Sequence, residues 1–124
     1  MKKILIIIAA SLFLSSLAIS TNAKTPVPKT YSGYLMDKMC SKRKAGDLEK
    51  MKEHSKTCLV EEECASTGFG VVVGKKFIPF DAKGNELTAN YLKTTPKEKD
   101  FQVVVTGSMK KNKLAVATFA EKQN

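Results

Sequence analysis

The sequence has one arginine, Arg43, one histidine, His54, and three cysteines that form no C-x-x-C pair. Each shortage excludes something. Lys and Arg together number 21, so with Arg43 alone the chain lacks the guanidinium forks of a dedicated phosphate reader. Without a C-x-x-C pair it has neither a thioredoxin-type redox motif nor the paired cysteines of a zinc ribbon, and there is no C-x-x-C-H sequence for haem attachment. A nucleophile-elbow serine and a phosphate-cradling glycine loop are also absent; Gly68-Phe69-Gly70 merely permits a tight entry into a strand. No internal repeat, low-complexity tract or linker divides the chain.

What is present begins with an export signal. Lys2 and Lys3 form a positive start, Ile4 to Leu17 an apolar stretch, and Thr21-Asn22-Ala23 a small-residue cleavage site, so residues 1–23 read as a signal peptide. A membrane anchor needs about 20 apolar residues, and this run decays into Ser20, Thr21 and Asn22 first. No cysteine at its end offers a thiol for lipid attachment. The expected product is periplasmic or secreted. The full chain carries a formal net charge of +9 and stays strongly cationic without Lys2 and Lys3. A lysine-rich surface of this kind favours solubility and adheres to anionic polymers in general.

Residues 24–29, Lys-Thr-Pro-Val-Pro-Lys, read as an extended leader, because each proline disfavours helix in the residue before it. A first strand is expected over Thr30–Met36. Residues 37–68 then change character: charged residues dominate, and Leu48, Met51, Ser55, Cys58 and Leu59 fall at helical spacing. This is a helical insertion in which Asp47 and Thr57 are candidate caps and Gly68 a stop. Phe69–Val73 and Lys76–Asp81 form a hairpin around Gly74-Lys75, with Pro79 marking an edge or bulge. Asn85 is placed to cap a helix from Glu86 to about Lys93. Phe101–Met109 and Lys113–Glu121 alternate as a closing hairpin around Lys110-Lys111-Asn112. Residues 30–124 are therefore expected to form one mainly β domain, a five-stranded OB-like barrel with a helical insertion, the alternative being an open α+β sheet with helices on one face.

Cys40, His54, Cys58 and Cys64 are the only thiols and imidazole, and they fall within a short stretch of the insertion. If His54 and Cys58 share one helix, their spacing of four puts both on one face, close enough to share a metal ion. With Cys40 and Cys64 returning from elsewhere they would complete a four-ligand zinc or copper(I) centre, with Met36, Met39 and Met51 as nearby soft sulfur. Export argues instead for a disulfide. Cys58 and Cys64 cannot bridge within one continuous helix, because six residues at 1.5 Å rise separate their Cα atoms by about 9 Å, so Cys40 would be a partner. A thiol lowered by His54 or a helix start is the third reading. The carboxylates of Asp37 and Glu61 to Glu63 carry no acid-base pattern beyond that of a helix start. No catalytic residue is assigned, and the chain is read as non-enzymatic. Tyr31, Tyr34, Phe69, Phe77 and Phe80 concentrate in the first three strands, where an OB-like face binds polymers, but a small barrel also needs such residues in its core.

Gly33-Tyr34-Leu35-Met36-Asp37-Lys38-Met39-Cys40, then His54, Cys58 and Cys64, then Gly68-Phe69-Gly70-Val71, Phe77 to Phe80 and Val104-Val105-Thr106-Gly107, resemble a group of small exported bacterial proteins. These share a G-[YW]-L-x-D-x-x-C start, a histidine-cysteine-cysteine segment and a late V-T-G strand. The resemblance implies a shared use for Asp37, Cys40, His54, Cys58 and Cys64 and carries no activity with it. The sequence thus predicts an exported binding module with a Cys/His centre for zinc or copper. The alternative is a disulfide-stabilised envelope protein that binds an anionic polymer or a protein partner.

Overall fold

A computed structural model describes residues 26–124. The expected signal peptide and the start of the leader lie outside the described residues. Five strands, β1 (Lys29–Asp37), β2 (Phe69–Val73), β3 (Lys76–Pro79), β4 (Gln102–Lys110) and β5 (Lys113–Glu121), form one antiparallel sheet in the order β3-β2-β1-β4-β5. Four short helices connect β1 to β2: α1 (Lys38–Lys44), α2 (Leu48–Lys52), α3 (Lys56–Val60) and α4 (Glu62–Ala65). A longer helix, α5 (Ala82–Thr94), connects β3 to β4. The class is mixed α+β. No helix among the described residues is long and apolar enough to cross a membrane.

The sheet does not close into a barrel. Its end strands meet only at one parallel bridge between Phe80 and Leu114, beside a 2.9 Å hydrogen bond from the Asp81 N–H to the Leu114 carbonyl. Pro79 is the last residue of β3; the Phe80 N–H still bonds the Phe69 carbonyl at 2.9 Å, and the chain then turns into α5. The expected strand to Asp81 stops there. Asp81 instead caps α5, accepting from the Gly84 N–H at 2.9 Å, so the helix starts before the expected Asn85 cap. Asn85 accepts the Phe69 N–H at 2.7 Å and ties α5 to the start of β2.

β1 organises the molecule because it changes partners along its length. Lys29 to Tyr34 pair with β4, and Tyr34 to Asp37 pair with β2. Gly33 sits at the crossover, where a Cβ would collide with the carbonyl of Val72. Beyond it, Tyr34 to Asp37 are all buried, and so are Phe69 to Val72 opposite. This run breaks the one-face alternation expected of an antiparallel strand. Leu35 and Val71 face the main core with Leu59, Phe80, Phe101, Val103 and Leu114. Tyr34, Met36 and Val72 face the other way, into a second cluster with Cys40, Met51 and Cys64. The helices therefore do not lie on one face: α5, Leu59 of α3 and Ala65 of α4 pack on the main core, while α1, α2 and Cys64 of α4 cover the opposite side of the β1–β2 ribbon.

Of the strand aromatics, Phe69 and Phe80 are in the main core, Tyr31 packs against it, and Tyr34 belongs to the second cluster. Phe80 also stacks edge-on with Phe119 at 6.3 Å between ring centroids. Phe80→Ala is expected to cost about 3 to 5 kcal/mol through lost transfer energy and a residual cavity, read as a lower urea midpoint with an unchanged m-value.

Candidate metal centre

α1 starts at Asp37 because that residue ends β1 with an acceptor in the position a helix start requires. Asp37 Oδ1 accepts the Cys40 N–H at 2.7 Å, the N-cap bond of α1. Asp47 caps α2 in the same way and Ser55 caps α3, accepting the Cys58 N–H at 3.2 Å. Ser55 displaces the expected Thr57 cap, and this decides the fate of the histidine. His54 precedes the cap, so it is not on the helix that carries Cys58, and the one-face geometry expected of that pair does not arise. Its N–H instead meets the Met51 carbonyl at the end of α2.

Among the described residues, one group of donor atoms converges closely enough to hold a metal ion: a carboxylate oxygen of Asp37 with the sulfurs of Cys40 and Cys64, all within 4.8 Å of one another and all buried. Three different local structures deliver them. Asp37 closes β1, Cys40 lies in the first turn of α1, and Cys64 lies in α4, whose turn is joined to α1 by Thr67. The Thr67 hydroxyl donates to the Cys64 carbonyl at 2.7 Å and accepts the Met39 N–H at 3.2 Å.

His54 stands behind this group. Its Nδ1 lies 2.8 Å from Lys44 Nζ and its Nε2 3.1 Å from Asp37 Oδ2. An ammonium group has only hydrogens to offer. Nδ1 must therefore accept from Lys44, and Nε2 carries the proton that it donates to Asp37. Both ring nitrogens are engaged, which leaves no lone pair for a metal. The four residues expected to converge divide accordingly: Cys40 and Cys64 meet, His54 supports their carboxylate neighbour, and Cys58, half-buried on α3, does not join the group. All three cysteines are free thiols.

The electrostatics follow from burial and from one charge. Burial raises the Asp37 pKa, but the bonds from His54 and from the Cys40 N–H outweigh it and hold the carboxyl below its ordinary value. The thiols move the other way. Burial, followed by the Asp37 charge, raises Cys40 and pushes Cys64 up to about 11, so both are protonated near neutrality.

Asp37 and Lys44 entered no expected ligand set. A spacing of three between an acidic residue and a cysteine is the N-cap signature that could have found Asp37. Lys44 is one lysine among many and carries no comparable signal. No protein-family model, curated protein or solved structure matches the chain.

The low Asp37 value has a definite sign. Its contribution to stability is complete above the unfolded carboxyl value of about 3.9 and is lost as the pH falls through the lower folded value. Asp37→Asn is expected to destabilise the metal-free protein at pH 7 by about 1.5 to 3 kcal/mol, the worth of hydrogen bonds to a charged group. Urea midpoints measured from pH 7 down to pH 2 will show this gap closing below about pH 4; a gap that persists unchanged would remove the charge from the explanation.

Proposed function

We propose that this chain is an exported, non-enzymatic binding module whose Asp37, Cys40 and Cys64 hold a thiophilic metal ion, zinc or copper(I). One observation carries the reading: two thiols and a carboxylate, buried and within 4.8 Å of one another, form a cluster of donors that no other group among the described residues reproduces. Two sulfurs and one oxygen suit zinc, and the two sulfurs alone suit copper(I). The expected resemblance to small exported bacterial proteins implies a shared use for Asp37, Cys40, His54, Cys58 and Cys64, and three of these five are the donors of the proposed centre.

Charge supports the reading as well. Without metal the group is balanced, Asp37 against the Lys44 ammonium through neutral His54, with both thiols protonated. A divalent ion replacing the two thiol protons leaves the total unchanged. The low-dielectric interior therefore exchanges one neutral assembly for another and gains no uncompensated charge. His54 and Lys44 take the part of outer partners, fixing the carboxylate's orientation as metal-bound ligands require.

The sheet adds a scaffold to this reading. The strand order, with α5 between β3 and β4 and the end of β3 lying parallel to β5 at Phe80, suits a partly open OB-like barrel whose first loop is expanded into the centre. A second reading uses the same sulfurs. A Cys40–Cys64 disulfide would join α1 to α4 and close a loop of about two dozen residues, worth about 3 kcal/mol. It is favoured by the closeness of the two sulfurs and excludes the metal.

Native mass spectrometry of protein purified without chelator separates them. The metal reading predicts one zinc or copper ion per chain. It is lost in Cys40→Ser and Cys64→Ser, kept in Cys58→Ser, and weakened about 10- to 100-fold in His54→Ala. A metal-free chain two hydrogens light establishes the disulfide instead, and loss of the ion in Cys58→Ser overturns the ligand set.

A further inference from the structure

The ion pairs of the described residues that involve lysine use Lys50, Lys52, Lys56, Lys97 and Lys99. Of the other lysines among the described residues, which form no such pair, five line one groove. Its middle is a concavity of about 290 Å³ between the start of α1, the β2–β3 hairpin and the β4–β5 turn, lined by Lys38, Lys111 and Lys113. It adjoins a second concavity of about 420 Å³ through Lys38 and Thr67, which adds Lys42, and a third of about 260 Å³ through Phe77, Pro79 and Asn112, which adds Lys76.

No aspartate or glutamate lines any of the three. All five lysines are exposed. The β4–β5 turn is fixed in shape, since Lys111 and Asn112 both take positive φ, the conformation of a two-residue hairpin turn that follows strand twist. Asn85, whose Oδ1 accepts the Phe69 N–H, also lines the middle concavity. Phe77 is half-buried and lines both the middle and the third concavity.

We propose that this groove binds a flexible chain of phosphodiester-linked units. Its cations are set in a row over adjoining hollows, which suits a linear chain of repeated charges and does not suit one small anion or a flat bilayer. Lysine ammonium groups act as point charges, which can follow the oxygens of a flexible phosphodiester backbone without the bidentate geometry of a guanidinium fork, and Arg43 is not in the groove. The Asn85 amide supplies a neutral donor, and the Phe77 ring a surface on which a base or a sugar can lie. Two sources share this chemistry, a single-stranded nucleic acid and a base-free polyol-phosphate chain. The proposal uses none of the proposed metal ligands and stands or falls apart from them.

The test is fluorescence anisotropy of the purified protein with a labelled dT12 strand, an abasic 12-mer of the same backbone, and poly-glutamate of matched charge, across a salt series. Both phosphodiester chains should bind, poly-glutamate at least about 10-fold more weakly. The combined Lys38→Glu, Lys111→Glu, Lys113→Glu variant should weaken binding at least about 10-fold and reduce the salt slope by about 2, at roughly 0.7 per phosphate contact for a single strand. A charge-matched control, Lys29→Glu, Lys93→Glu, Lys122→Glu, changes exposed residues outside the groove and should retain most of the affinity. A dT12 preference lost in Phe77→Ala assigns the nucleic-acid source; equal affinity for the abasic strand assigns the base-free one. Equal weakening by the control variant, equal affinity for poly-glutamate, or no binding at low salt overturns the proposal. Circular dichroism of each variant confirms that it folds.

Discussion

The carboxylate of Asp37 is a buried charge, and a buried charge persists only when surrounding groups replace the water it has lost. Here the replacement is local and complete: the Cys40 N–H serves one oxygen, His54 the other, and the Lys44 ammonium reaches the far side of the imidazole. Satisfying that one group ends β1, starts α1 and draws the end of α2 against the sheet. Burial, with the same carboxylate adding to it, holds the two nearby thiols in their protonated form, which makes them apolar packing residues until something displaces their protons.

The second dependence is on the ribbon of β1 and β2. Helices of four to seven residues have little stability of their own, so α1 to α4 exist because they cover apolar surface. That surface is provided where β1 leaves β4 for β2 and presents Leu35 to one side and Tyr34 and Met36 to the other. Cys40 and Cys64 belong to this second layer as packing residues and to the candidate centre as donors. Anything that alters their chemistry is thereby felt by the packing of the insertion, and loosening the insertion separates the donors.

Much of this was legible in the amino-acid order. β2 stands out as a short run of aromatic and β-branched residues between turn signals, the closing hairpin of β4 and β5 by its alternation, and Asp47 announces its helix by type and position. Ser55 was read as part of a helical face, and its role as a cap shifted His54 off the helix of Cys58. Asp81 captured α5 from Asn85 because β3 ended early at Pro79. Barrel closure could not be read because it depends on how far two distant strand ends approach, and only Phe80 and Leu114 meet. In the candidate centre, composition singled out the short segment that holds the cluster, since all the thiols and the imidazole lie there. Which of those side chains meet was decided by helix boundaries set one residue at a time. Asp37 was within reach of the sequence as the cap of α1 and was named by the resemblance, whereas the contribution of Lys44 arises from the approach of α1 to His54, a tertiary contact that no local pattern encodes.

The account as a whole rests on a ligand set of two sulfurs and one carboxylate oxygen, backed by a histidine that does not itself bind. X-ray absorption at the zinc edge of the metal-loaded protein measures that set directly. The account predicts two sulfur neighbours at about 2.3 Å and oxygen at about 2.0 to 2.2 Å, with no imidazole scattering beyond the first shell. Three sulfurs, or the multiple-scattering signature of a bound imidazole, would contradict it.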